Sequence, residues 1–276
     1  MSRKGDGIPI YRYSLTDLLQ NSLLSSPAVS VSYDDKITEA THLLPEYLES
    51  FTDSLVVVRD ERPVGLIGGL EILDGVLKQP CNDFFEKTRV KDVMNNELIK
   101  LESGATLGSL LNVWRRTGRA FAIVPNQYHG YSAISARKVL EVGMKSKTEL
   151  TVEGISRKRL LTFTKDQTVR EILESMFENR TRKLVLEGTA KFISDRIIIQ
   201  RISRDLNCLE QCDDFLEMRA GGFHLDEAKS VTGSTSLVDA CKIMYGMQSP
   251  YLHFPGGVVT PWDVIMSFDS GKVYLG

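Results

Sequence analysis

The 276-residue chain has only four cysteines, four histidines and two tryptophans, and no apolar run approaching the roughly 20 residues that cross a bilayer. Each shortage excludes something. The cysteines stand at 81, 208, 212 and 241, and the closest pair, Cys208 and Cys212, lacks the second pair or His-x3-His that would complete a tetrahedral zinc site. Reduced, unpaired thiols are expected. His42, His129, His224 and His253 are scattered without metal-ligand spacing, so no metal is expected. The amino terminus, MSRKGDGIPIYRYSL, has no apolar core of signal-peptide length, which gives the expectation of a cytoplasmic protein with no membrane insertion. There is no P-loop, no GxGxxG after a strand and no GxSxG elbow.

Charge of one sign is also missing. Lys plus Arg number 34 and Asp plus Glu 36, and a net charge of -2 gives no overall attraction to nucleic acid or to an anionic membrane. Any anion binding must come from local basic clusters. Residues 1–24 are too short for a helix-turn-helix, which removes a nucleic-acid partner from the expectation. The composition, 42% hydrophobic and 25% charged, is that of a globular chain long enough for about two domains.

What is present is repetition. The stretch GGVVTPWDVI, Gly256 to Ile265, has three counterparts: VGLIGGLEIL from Val64, GYSAISARKVL from Gly130 and KFISDRIIIQ from Lys191. Each reads as a short strand running into a small or hydroxyl residue and then a helix. Upstream of each lies an amphipathic helix with apolar positions at i, i+3, i+4 and i+7. These sets are Ile37, Ala40, Thr41, Leu44; Leu107, Leu110, Leu111, Trp114; Val169, Ile172, Leu173, Met176; and Leu237, Ala240, Cys241, Met244.

Short β-prone segments precede the helices (SVSYDD, IKLESG, LTFTKD, KSVTGS) and strands follow them (LVVV, AFAIV, KLVL, YLHF). The unit is therefore β-α-β-β-α, and one copy would leave an apolar face uncovered, so copies should pair. Pro45 should end or kink the first helix. GMKSKTEL, Gly143 to Leu150, is the best internal boundary; Asn207 to Gly222 is a second linker-like segment with no assignable chemistry.

Thr260-Pro-Trp-Asp263 is sound helix-start chemistry by itself. Thr260 caps free amides, Pro261 suits the first helical position, and Asp263 complements the helix dipole. Trp262 reads as a packing residue or as a stacking surface for a base.

The fourfold β-α-β-β-α unit, with KDVMNNELIKLESGATL at Lys91 to Leu107, resembles the cystathionine β-synthase (CBS) domain family. The resemblance implies an α+β fold of four CBS repeats, forming two pseudo-twofold modules packed as a disc. The first module would span residues 1–147 and the second 148–276. It also implies a non-catalytic regulatory protein that binds AMP, ADP, ATP, S-adenosylmethionine or a related adenosyl ligand in clefts between paired motifs. The regulated partner would be an enzyme or transporter, or the chain would self-associate. A scaffold with largely vestigial sites is the alternative. An enzyme is not expected, since no acid, base or nucleophile recurs near Thr260 and Asp263.

The family's ligand signature is a Ser or Thr leaving the third strand and an Asp three residues on, whose carboxylate accepts from both ribose hydroxyls. Repeat four alone has both, as Thr260 and Asp263. Repeat one has Gly68 and Glu71, repeat two Ser135 and Lys138, and repeat three Ser194 and Ile197. One strong site, one possible site and two degenerate ones follow.

Phosphate-binding cations in the family often come from the end of the first helix or the start of the second strand. That register holds Arg180, Thr181, Arg182 and Lys183 in repeat three and Arg115, Arg116 and Arg119 in repeat two. The resemblance directs the repeat-three cluster at the Asp263 site and Arg119 at the Glu71 site. Arg182 is the preferred phosphate contact because its planar fork suits bidentate recognition. Without a ligand, the same cations would complement helix carboxyl ends.

Overall fold

The computed structural model describes residues 7–24, 27–46, 54–102, 104–126, 130–155, 160–204 and 214–276. His129, Cys208, Cys212 and Ser103 lie outside them, as does the first half of the 207–222 segment. An N-terminal helix α1 (Leu15–Leu24) precedes repeat one, which comprises β1 (Ser30–Ser32), α2 (Ile37–Glu46), β2 (Ser54–Arg59), β3 (Arg62–Gly68) and α3 (Gly69–Lys78). Repeat two has α4 (Leu107–Thr117), β4 (Phe121–Asn126), β5 (Gly130–Ser135) and α5 (Ala136–Met144). Repeat three has β6 (Thr162–Phe163), α6 (Val169–Glu178), β7 (Lys183–Leu186), β8 (Lys191–Ser194) and α7 (Asp195–Arg204). Repeat four has β9 (Lys229–Ser230), α8 (Leu237–Tyr245), β10 (Leu252–Phe254), β11 (Gly257–Val259) and α9 (Pro261–Met266).

Repeats one, three and four each build one small mixed sheet. The first strand runs parallel to the second, and the second antiparallel to the third: β1-β2-β3, β6-β7-β8 and β9-β10-β11. In repeat two the first strand shrinks to a parallel bridge from Lys100 to Ile123 beside the β4-β5 hairpin. A parallel pair needs a crossover, and the amphipathic helix supplies it. All sixteen positions of the helical pattern are buried, Thr41 among them with its hydroxyl donating to Ile37 O at 2.9 Å. Pro45 sits in the last turn of α2, where the helix runs on to Glu46.

The chain divides into two compact units, one of residues 1–27, 99–159 and 228–276, the other of residues 28–98 and 160–227. Repeats two and four share the first unit, and repeats one and three the second. This grouping differs from a cut near residue 147. The physical reason is helix packing: α5 of repeat two lies against α8 and α9 of repeat four, and α7 of repeat three against α2 and α3 of repeat one. The polar GMKSKTEL stretch is also not a bare linker, since Ser146–Lys147 pairs antiparallel with Tyr274–Leu275.

In the first unit a single apolar cluster runs from Ile10 and Leu15 through Trp114 and Val139 to Met244, Ile265 and Phe268. Helices α5 and α8 approach closely at Gly143, where an added Cβ would meet Cys241 Sγ and the Phe268 ring. Burial pushes the Cys241 thiol up to about 12, so it stays protonated and acts as a small apolar group. Gly143→Ala is therefore expected to destabilise the chain by about 1 to 3 kcal/mol through overpacking. Gly104→Ala, with nothing within 4 Å of the new methyl, is the control in the same denaturant titration. Equal stability of the two variants would refute the glycine contact.

Candidate functional site

The four third strands end in the same way. Gly68, Ser135, Ser194 and Thr260 each stand between a strand and a helix with no intervening loop, and the first, second and fourth have extended backbones at φ -140°, -110° and -114°. An extended residue followed at once by helical ones is N-cap geometry. The side chain three residues on then points back toward the cap.

In repeat four this junction is closed by a full capping box. Thr260 Oγ1 accepts from Asp263 N at 3.3 Å, while Asp263 Oδ2 accepts from Thr260 N at 2.9 Å and from the Thr260 hydroxyl at 2.7 Å. Both bonds fall on one carboxylate oxygen; among the described residues Oδ1 accepts none. The same hydroxyl-to-carboxylate bond, again 2.7 Å, joins Ser14 to Asp17 and Ser236 to Asp239. Capping alone therefore does not set repeat four apart. Burial does: Asp17 and Asp239 are exposed, whereas Asp263 is half-buried between the apolar residues Pro261 and Val264.

Repeat one keeps half the arrangement. Glu71, half-buried, reaches back so that Oε2 accepts from Gly68 N at 2.9 Å. In repeat two the Ser135 hydroxyl accepts from Lys138 N at 3.4 Å, and both residues are buried. Burial pushes the Lys138 ammonium below its ordinary value, with Glu141 partly opposing. Next to it Arg137, also buried, donates to the carbonyls of Tyr245, Met247 and Gln248, so its cation closes the carboxyl end of α8. Repeat three retains the cap, Ile197 N to Ser194 Oγ at 3.4 Å, with no polar group at the third helical position.

The cations fall into different units. Arg119 shares the unit of Thr260 and Asp263, while Glu71, Thr181, Arg182 and Lys183 belong to the other. Arg115 is taken up by an ion pair with Asp269 at 3.0 Å and a bond to Asn112 Oδ1. Arg180 occupies a left-handed position, φ +49°, that closes α6 through Thr181 N donating to Met176 O at 2.9 Å. In repeat two Gly118 has that role, at φ +69°. Arg182 Nε donates to the carboxylate of Asp195 at 2.7 Å. Thr181 Oγ1 donates to Lys183 O at 3.3 Å, and Lys183 opens β7 opposite Ser194.

Trp262 packs on the edge of the apolar cluster, in keeping with an ordinary packing role. Among the described residues no group of three His, Cys, Asp or Glu side chains could hold a metal ion, and no helix is long and apolar enough to cross a membrane. Two charged residues escaped the sequence reading. Asp195 follows the hydroxyl residue of repeat three directly, and Arg137 lies second after that of repeat two. Both are off the signature positions, and nothing in periodicity marks them.

Lys138 gives a test by pH. Its folded form binds a proton more weakly than the unfolded chain does. Between the depressed value and the ordinary 10.5, unfolding thus takes up a proton, and stability rises with pH. Lys138→Met is expected to be more stable than wild type at pH 7, with the advantage shrinking as pH approaches 10. A pH-independent difference in chemical denaturation would rule out a charge-burial cost.

No protein-family model and no curated protein matches the sequence. Solved structures do. Protein MJ1225 from Methanocaldococcus jannaschii, described as a candidate archaeal homologue of γ-AMPK, superposes with a TM-score of 0.76 at 17% identity, covering 92% of this chain and 99% of that one. An uncharacterised conserved protein from Pyrococcus horikoshii gives 0.55 at 10% identity, over 89% and 97% of the two chains. A CBS-domain containing protein from Agrobacterium tumefaciens aligns over 51% of this chain and 98% of its own, at 17% identity and a TM-score of 0.40. The chain thus shares the α+β fold of the first two of these structures, with the β-α-β-β-α unit of the CBS resemblance complete in three repeats and its first strand reduced to a bridge in repeat two.

Proposed function

We propose that the chain is a non-catalytic regulatory protein that binds an adenine nucleotide or a related adenosyl ligand, with Thr260 and Asp263 meeting the ribose. The observation that carries this reading is the half-buried Asp263 carboxylate, whose Oδ2 serves the cap while Oδ1 accepts no bond among the described residues. An oxygen held in that way can accept from a ribose hydroxyl without dismantling the helix start. The fold shared with a candidate γ-AMPK homologue supports the same ligand class. Lys138 and Ile197 lack an acceptor at the corresponding positions, and Glu71 supplies the second candidate carboxylate. The regulated partner is an enzyme or transporter, or a second copy of the chain.

Calorimetric titration with AMP separates capping from binding. Asp263→Ala should cost about 0.3 to 1 kcal/mol of stability as a lost helix-start acid and weaken AMP about ten- to hundredfold, the equivalent of losing charge-assisted bonds worth about 1.5 to 3 kcal/mol. Asp239→Ala removes the same hydroxyl-to-carboxylate bond at an exposed helix start and should cost stability alone. Equal AMP affinity of wild type and Asp263→Ala would show that Asp263 only caps its helix. A wild type that binds no adenosyl ligand would favour the scaffold reading.

A further inference from the structure

Among the described residues of the unit formed by 1–27, 99–159 and 228–276, two large apolar side chains stand well out in solvent, Ile8 at 56% and Leu275 at 43% exposure. They are neighbours. Tyr274–Leu275 pairs antiparallel with Ser146–Lys147, and on its other side Pro9 bridges Tyr274 while Ile10 N donates to Val273 O at 2.9 Å. That register sets Ile8 across from Leu275, so both side chains leave the same face. The opposite face carries Lys147, paired with Tyr274, and Lys145 two residues before it. Lys145, Lys147 and Lys272 are all exposed, and among the described residues no ion pair engages any of them. The outer edge of Ser146–Lys147 has no partner strand among the described residues, whereas Pro9 removes a donor from the other edge. Ser146–Lys147 follows α5 after Lys145 alone, and Tyr274–Leu275 lies beyond α9 and Ser267–Ser270. The small sheet is thus tied to the carboxyl ends of the two helices that start at Ser135 and Thr260.

We propose that the open edge at Ser146–Lys147 is the docking surface for an extended segment of a partner protein in which acidic and apolar residues alternate. This goes beyond the nucleotide-binding reading and does not depend on it. An open edge beside an apolar pair is a template for a further strand, and its lysines decide which strand is accepted. Two copies of this chain meeting edge to edge would set Lys145 and Lys147 against like charges, which destabilises the pairing. An anionic bilayer would meet the lysines, but two apolar side chains are too small a face to anchor there. An alternating segment satisfies both faces of the sheet. Its acids stand beside Lys145 and Lys147, and its apolar residues fall on the side of Leu275 and Ile8.

The test is an amide-shift titration by NMR of the whole chain with a blocked peptide alternating glutamate and valine, against one alternating lysine and valine. A thermal melt of each variant reports folding. The acidic peptide should shift the amides of Lys145 to Thr148 and of Leu275, and the lysine peptide should not. Lys145→Glu together with Lys147→Glu should reverse the preference, each exchanged charge pair changing affinity about two- to fivefold. Leu275→Gln should weaken the acidic peptide by a similar factor. No shift at this edge, or equal affinity for the two peptides, overturns the proposal. Three other occupants would also overturn it. Dimer formation in sedimentation that Leu275→Gln abolishes would give the edge to a second copy. Binding to phosphatidylcholine–phosphatidylglycerol vesicles that the double charge reversal abolishes would give it to a membrane. Acidic-peptide binding that emerges only after residues 1–6 are removed would give it to the chain's own amino end.

Discussion

The organising constraint is the direct junction between each third strand and the helix after it. A strand residue that becomes an N-cap must be extended and should carry an acceptor, or be small enough to leave the amides to another group. Ser135, Ser194 and Thr260 meet the first condition with a hydroxyl; Gly68 meets the second, and Glu71 takes over its amide. With no loop to absorb variation, the third helical residue occupies one fixed place in every repeat. Asp263, Glu71, Lys138 and Ile197 are four answers to the same local geometry, and their chemistry decides what each junction can hold.

Charges buried near these junctions are matched by unusually direct partners. Arg137 donates to the carbonyls that end α8, which joins repeats two and four. In the other unit Asp195 serves the repeat-three junction, taking an amide of its own helix and the Arg182 side chain together. Lys138 is the costly member, since burial acts against its charge and Glu141 offsets only part of that. Around it Tyr245 donates its hydroxyl to Glu141 at 2.8 Å, and its own proton is held up to about 12, chiefly by burial.

Most of the repeat was legible because it rests on short-range periodicity. The helical spacing of Leu107, Leu110, Leu111 and Trp114 places all four inside, and the turn residues before each helix mark its start. The first strand of repeat two, reduced to a bridge, was overstated, as short β-prone segments often are. The grouping of repeats was not legible: it depends on which helix faces which, and Gly143 against Cys241 is a contact between residues almost a hundred positions apart. The candidate site was half legible. Thr260 and Asp263 stand together at a helix start, but the same spacing at Ser14 and Ser236 makes an ordinary cap; the burial of Asp263 and the bond it accepts from Thr260 N distinguish repeat four.

The central claim is that the repeat-four junction binds a ligand besides starting a helix. Amide hydrogen exchange measured with and without saturating AMP tests it at the residues concerned. The account predicts added protection at Thr260, Trp262, Asp263 and Val264, with none at Leu237 to Asp239, where the equivalent cap of α8 is exposed. Exchange at the α9 start unchanged by AMP, or slowed equally at both helix starts, would contradict it.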